Sequence, residues 1–208
     1  MSKWMDDFGN NYVNRNHSRL SDLNSLYQEN YNVTRTELNK EFLNLLNKDI
    51  RILEVGSNVG GQLLCLQDMG FKNLYGVEIN KHAIEKSKEI TKDINIIFGS
   101  GFDIPYKDGF FDLVFTSGVL IHISPSDIKD ILKEIYRCSS KYIWGFEYYA
   151  DSYTEVNYRG NDDLLWKTDF AALYKTEFKD LELLKEKRVK YCHDDNFDSM
   201  YLLEKRKA

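Results

Sequence analysis

The strongest constraint on this chain is a short apolar run, Ile52-Leu-Glu-Val55, that passes directly into a turn carrying Gly56, Gly60 and Gly61. Ile52, Leu53 and Val55 have the make-up of a buried strand. The glycines let the backbone turn sharply and approach a ligand where a Cβ would collide. Residues 63–69 continue as a helix, and the amides and dipole at a helix start favour electron-rich groups. Strand, glycine turn and helix in this order open a βα unit and read as a cradle for a nucleotide-type cofactor. A tight strand-to-helix turn without a ligand is the plainer alternative.

Beyond this turn, strands are expected over 73–79, 94–98, 111–116 and 142–146, with helices over 81–90 and 124–137. Gly70 stands where a left-handed residue closes the helix before it. Ser124-Pro-Ser-Asp127 has the residues of a helix start: a cap, a proline pre-set for the first turn and an acid against the dipole. A Tyr-rich loop, a helix near 167–174 and two strands over 181–189 and 199–204 complete the chain. Alternating strands and helices require parallel pairing with helices on both faces of the sheet. The last two strands, with no helix between them, form an antiparallel pair. The expectation is therefore an α/β, Rossmann-like fold with a seven-stranded, mostly parallel sheet and an antiparallel last strand.

Upstream, apolar residues at three- and four-residue steps over 19–47 predict two helices broken near 30–33. Residues 1–18 lack a clean period and read as an irregular or short-helical arm. The whole of 1–208 is taken as one domain, with an N-terminal helical arm or lid over 1–48 and a Rossmann-like core over 49–208.

A net charge of −5 argues against general affinity for nucleic-acid phosphates, which needs basic faces, and points to a small-molecule partner. Three cysteines, far apart and without a Cys/His cluster, indicate neither a disulfide framework nor a metal site and suit a reducing cytoplasm. No apolar stretch approaches membrane-spanning length, and the first residues hold no signal-like apolar run.

Leu53-Glu-Val-Gly-Ser-Asn-Val-Gly60 resembles the first motif of class I S-adenosylmethionine-dependent methyltransferases, an acidic residue followed by Gly-x-Gly-x-Gly, with Asn58 in place of the middle glycine. Asn tolerates the left-handed conformation that such a position needs. The resemblance implies S-adenosylmethionine as cofactor, with Glu54 orienting the loop or reaching the methionine ammonium. Gly56, Ser57, Asn58 and Gly60 would then line the methionyl and ribose part. Glu78, at the end of the second strand, lies 24 residues after Glu54, near the spacing at which a carboxylate takes both ribose hydroxyls, with Ile79 beside it. A solvated strand-end Glu is the other reading. Ser100-Gly101 stands where the family usually has an Asp-Ala pair against adenine, and Phe102 could stack there, unless this is an ordinary loop. Ser117 closes the cofactor set at the end of the fourth strand.

His122 follows at once and is the candidate general base or acceptor-orienting group, because a His titrates near working pH. A structural His bonded to a neighbouring carbonyl is the alternative. Glu147, at the end of strand five, could hold an acceptor amine or hydroxyl, or pair with an arginine. Further blocks resemble the pseudaminic acid biosynthesis-associated methylases: Trp4-x3-Phe8-Gly9-x2-Tyr12-x2-Arg15-Asn16, 118–123, Glu147-Tyr-Tyr149, Tyr158-Arg-Gly160 and 165–170. That likeness implies a sugar-related acceptor. Arg159 flanked by Tyr149, Tyr153 and Tyr158 is what recognition of a carboxylate or phosphate on a sugar would use, with Tyr12, Arg15 and Asn16 completing the site. A surface arginine among loop tyrosines is the alternative. The charged run 185–190 reads as a solvated strand edge. Two other functions stay open: a non-catalytic S-adenosylmethionine-binding partner subunit, and an NAD-dependent oxidoreductase, which the missing Gly-x-Gly-x-x-Gly disfavours.

Overall fold

The computed structural model describes residues 2–15 and 19–206. The chain forms two compact units, Met1–Pro105 and Tyr106–Ala208.

In the first unit, helices α1 (Ser2–Met5), α2 (Asp7–Arg15), α3 (Leu20–Tyr31) and α4 (Arg35–Leu43) precede β1 (Arg51–Val55), α5 (Gly61–Asp68), β2 (Asn73–Glu78), α6 (Lys81–Ile90) and β3 (Asn95–Phe98). All pairing is parallel, with β2 between β1 and β3. The stretch expected to be irregular or short-helical contains two helices. Trp4 packs edge-on against Phe8 and Tyr12, at centroid distances of 5.3 and 5.4 Å, so rings one and two turns apart share one face. Asn16 and His17 lie outside the described residues. The break expected near 30–33 falls at Asn32, which is left-handed with φ 56°. Thr34 then opens α4 in a capping box with Glu37. At the end of α5, Gly70 has φ 91°. Its N–H donates to Gln67 and that of Phe71 to Leu66, so the expected left-handed stop takes the Schellman form.

The second unit holds β4 (Phe111–Ser117), a 3-10 turn (Leu120–His122), α7 (Ile128–Cys138), β5 (Ser139–Tyr149), β6 (Thr154–Glu155), β7 (Trp166–Lys167), α8 (Phe170–Glu177), β8 (Leu181–Lys190) and β9 (Phe197–Lys205). β4 pairs parallel with β5, and β9 runs antiparallel to both β5 and β8. β9 is thus flanked on both sides, which explains why it is buried along most of its length while β8 alternates. Apart from the separate β6–β7 ribbon, β1 to β3 in the first unit and β4, β5, β8 and β9 in the second make the expected seven, with β9 alone reversed. Two local expectations change. Helix α7 begins later than Ser124, whose carbonyl accepts from the N–H groups of Asp127 and Ile128 and whose hydroxyl reaches Asp127 at 2.9 Å. The serine staples a preceding turn instead of capping. Lys167 falls in the β6–β7 ribbon, and α8 starts only after Asp169, which accepts from Ala172 N–H at 2.9 Å. No helix of the described residues is long and apolar enough to cross a membrane, and they hold no cluster of metal-ligating side chains.

Candidate functional site

The glycine turn after β1 is left-handed at three points: Gly56 (φ 72°), Asn58 (φ 50°) and Gly60 (φ 86°). Asn58 takes the expected conformation and steadies it by accepting Val59 N–H at 2.7 Å. The Val77 carbonyl on β2 accepts from both Gly56 N (2.8 Å) and Ser57 N (3.2 Å). Glu78 completes the tie: Oε2 accepts Asn58 N–H and Oε1 accepts Asn80 N–H, each at 2.7 Å. Burial pushes its pKa up, against the backbone donors Asn80, Asn58 and Ile79. Each carboxylate oxygen has capacity for a second hydrogen bond, as a cis-diol would supply.

Glu54 lies beneath this loop, 2% exposed, and its Oε2 has no hydrogen-bond partner among the described residues. Burial drives its pKa well up, Arg35 opposes this, and Glu78 adds to it. The Ser57 hydroxyl is likewise buried without a partner among the described residues. Space for it exists because Gly76 has no side chain: a Cβ there would stand 2.5 Å from Ser57 Oγ. An orphaned carboxylate oxygen and an orphaned hydroxyl in a left-handed loop fit the ammonium and polar end of a nucleoside-amino acid cofactor, and Glu78 fits its ribose.

At the end of β3, Ser100 Oγ accepts Phe102 N–H at 3.1 Å and pairs across a tight turn with Asp103, with Gly101 and Phe102 half-buried between. Ile79, also half-buried, follows Glu78. The arm reaches the same strand end. Asn80 donates from its side chain to Trp4 O (2.8 Å) and Asn10 Oδ1 (3.1 Å), and it also caps α6. Farther along, Asn14 accepts from His82 and Lys86 on α6. Tyr12 is turned onto Trp4, whereas Arg15 is exposed.

In the second unit, Ser117 is the last residue of β4. His122 closes the 3-10 turn that follows, with Nδ1 2.7 Å from the Leu164 carbonyl. A carbonyl only accepts, so Nδ1 carries the proton and Nε2 the lone pair. Burial lowers the pKa to about 4, Leu164 opposing. Tyr158 lies beside this ring, centroids 5.4 Å apart. Glu147, 1% exposed, accepts from the N–H groups of Val119 (3.2 Å) and Ile121 (3.4 Å). Burial pushes its pKa to about 7, against the Thr116 hydroxyl and backbone donors of 119–121. This carboxylate shapes the turn that carries His122.

Of the tyrosines expected to flank Arg159, Tyr158 lies beside it and Tyr149 is held by Arg188. Arg159 and Gly160, with φ 54° and 74°, are the two central residues of a turn closed by reciprocal bonds between Tyr158 and Asn161. This is type I′ geometry, which explains the Arg-Gly pair by backbone shape. Arg159 is exposed and 5.8 Å from the Tyr158 ring. Tyr149 instead lies under Arg188, 3.5 Å from guanidinium to ring, and donates to Asp151 at 2.6 Å. Arg188 also pairs with Asp169 and Glu186, so the run 185–190 is not wholly a solvated edge. Sequence reasoning passed over Arg188, Arg35 and Asn80. Only Asn80 left a signal, an Asn three residues before Ala83 at a helix start.

Residues 53–141 match the methyltransferase domain family. That segment is a class I methyltransferase domain; the chain is an enzyme and its cofactor is S-adenosylmethionine. The phosphoethanolamine N-methyltransferase of Plasmodium falciparum is 21% identical over 78% of this chain and 69% of its own length. In fold, the chain is similar to the PH0226 protein of Pyrococcus horikoshii OT3, with a TM-score of 0.69 at 16% identity over 98% of this chain and 96% of that one. An S-adenosylmethionine-dependent methyltransferase of Anabaena variabilis gives 0.69 at 13% identity, over 99% and 94%.

Proposed function

We propose that this enzyme methylates the nitrogen of a small, polar, anionic acceptor, of the sugar or nonulosonic-acid type. The observation that carries the reading is the state of His122. Its Nδ1–H is committed to Leu164, and the ring is neutral at working pH with Nε2 as acceptor. When bound, S-adenosylmethionine supplies an electrophilic methyl carbon on a sulfonium. Glu54 and Ser57 would hold its amino-acid end, Glu78 its ribose, and Ser100, Gly101 and Phe102, with Ile79, its base.

A neutral amine attacks with its own lone pair, so the protein needs to aim that pair and exclude water. His122 Nε2 does the first by accepting an N–H of the acceptor. A hydroxyl acceptor would need a base to take its proton during transfer, and an imidazole whose pKa has fallen to about 4 takes a proton poorly. Glu147 acts through the backbone of 119–121 and is a positioning residue. Arg159, with Tyr12, Arg15, Asn16, Tyr149 and Tyr158, is assigned to the acceptor by resemblance. Phosphoethanolamine, which the Plasmodium relative's name gives as its acceptor, has the same chemistry of an amine next to an anionic group.

The test is incubation with labelled cofactor and matched acceptors: an amino sugar acid, its hydroxyl analogue, and phosphoethanolamine. Methylation of the amines with little on the hydroxyl is expected. Preferential oxygen methylation would overturn the nitrogen assignment, and binding without transfer to any metabolite would favour a non-catalytic subunit. His122→Ala should lower kcat about a hundredfold through lost aim of the acceptor, with cofactor binding intact. Arg159→Gly keeps the turn and removes the guanidinium, so a raised KM would mark the anion contact.

A further inference from the structure

The 3-10 turn that carries His122 is fixed through its backbone, since Glu147 accepts from the N–H groups of Val119 and Ile121. Those bonds do not restrain the imidazole. The β6–β7 ribbon does. Nδ1 of the ring lies 2.7 Å from the carbonyl of Leu164, just before β7, and the Tyr158 ring, from the other arm of the ribbon, is 5.4 Å away with 58° between the planes. The second arm of the ribbon is sunk in the unit, with Leu165 2% and Trp166 7% exposed, whereas Thr154 and Glu155 of the first arm are exposed. Val156 N–H ties the arms by donating to the Leu165 carbonyl at 2.9 Å, and Asp163 N–H donates to Glu155 Oε1 at 2.7 Å. The tip closes in the left-handed turn of Arg159 and Gly160. A seated root thus presents a built tip and a backbone carbonyl to one histidine.

The hydrogen bond made by one imidazole nitrogen decides the state of the other. A neutral histidine free in water favours the proton on Nε2. The Leu164 carbonyl, which only accepts, imposes the opposite form and leaves the lone pair on Nε2. Without the ribbon the proton would return to Nε2, and the atom that aims the acceptor would become a donor. We propose that the β6–β7 ribbon is a tautomer lock: Leu164, with Tyr158 as buttress, is a positioning residue that acts through His122, and it joins the tip that presents Arg159 to the group that aims the acceptor nitrogen. The inference rests on the reading of His122 as that group. Seating of the ribbon by an acceptor's anion and aiming of its amine are then one event, which favours molecules that carry both groups over those with either alone.

Two variants loosen the ribbon without replacing a residue assigned to the acceptor. Val156→Pro deletes the N–H that meets Leu165. Gly160→Val puts a β-branched residue at φ 74°, where a Cβ meets nothing within 4 Å and only the backbone is strained. Nitrogen NMR of protein isotopically labelled in histidine reads the tautomer directly, with the His122 signals identified by their loss in His122→Ala. Spectra at about pH 8 compare neutral rings, because even a released imidazole has lost its proton there. Wild type should show Nδ1 protonated, and both variants should shift toward Nε2 protonated. Their kcat for an amine acceptor should fall about tenfold or more, with the affinity for S-adenosylmethionine unchanged by calorimetry. Arg159→Gly, which keeps the turn, should hold the wild-type tautomer. A wild-type spectrum with Nε2 protonated, or one that both loosened variants leave unchanged, would overturn the proposal, and neither comparison needs the acceptor to be known. A tautomer that shifts while kcat stays put would remove the aiming role of His122, on which the proposal rests.

Discussion

Gly9→Ala should detach the N-terminal helices from the cofactor strand. A Cβ at this position would stand 2.0 Å from the Trp4 carbonyl oxygen, 2.6 Å from its carbon and 2.8 Å from Asn80 Nδ2. Two of these atoms are backbone, so no side-chain rotation relieves the clash. Either α1 moves away from α2 or Asn80 leaves the Trp4 carbonyl, to which it donates at 2.8 Å. Overpacking of this kind costs about 1–3 kcal/mol, and losing the Asn80 bond adds about 1 kcal/mol. With a urea slope of about 2 kcal/mol per molar, the combined loss shifts the midpoint by about 1 M or more. The shift should come with faster proteolysis within residues 2–15 and weaker cofactor binding, because Asn80 N–H also holds Glu78 Oε1. Urea melts, timed proteolysis and calorimetry read the three effects. A variant matching wild type in midpoint and cleavage rate would refute the claim that this contact docks the arm.

Gly76→Ala pushes a methyl into Ser57; it should cost about 1–3 kcal/mol and weaken S-adenosylmethionine binding, measured by urea melt and calorimetry. His122 titrates below its ordinary 6.5, near 4, so the unfolded chain binds more protons between these values and stability falls as pH drops through that window. His122→Asn should flatten this part of the stability profile. Glu147 has the opposite sign: its pKa rises from 4.5 to about 7, so its contribution is complete below 4.5 and is lost as pH climbs through about 7. Glu147→Gln should abolish that decline, lower stability in acid by about 1–3 kcal/mol because an amide NH2 then faces backbone donors, and speed amide exchange at Val119 and Ile121.

The glycine turn was legible because its chemistry is local. Left-handed backbone at Gly56, Asn58 and Gly60 is a property of those residue types, as is the stop at Gly70. Helix α6 occupies 81–90 as expected, since capping and periodicity agree there. Where competing local signals met, boundaries moved: Ser124 offered a cap and served a turn, and Lys167 was drawn into a strand by its pairing with Thr154. The acceptor side was least readable. Arg159 among tyrosines is attractive in one dimension, yet Tyr149 is taken by Arg188, from another strand.

By itself the sequence determined the alternating strands and helices, the paired final strands, the left-handed cofactor turn and the placement of Glu78 at the end of β2, whereas β5 runs on past Glu147 to Tyr149. These follow from side-chain period, glycine stereochemistry and caps, which act over a few residues. Tertiary structure alone decided the partners. Asn80 meets Trp4 across 76 positions and His122 meets Leu164 across 42. Arg35 reaches Tyr27 only once α3 and α4 pack together. Desolvation and charge proximity set the protonation of Glu54, His122 and Glu147, and both arise only once the chain has closed around them.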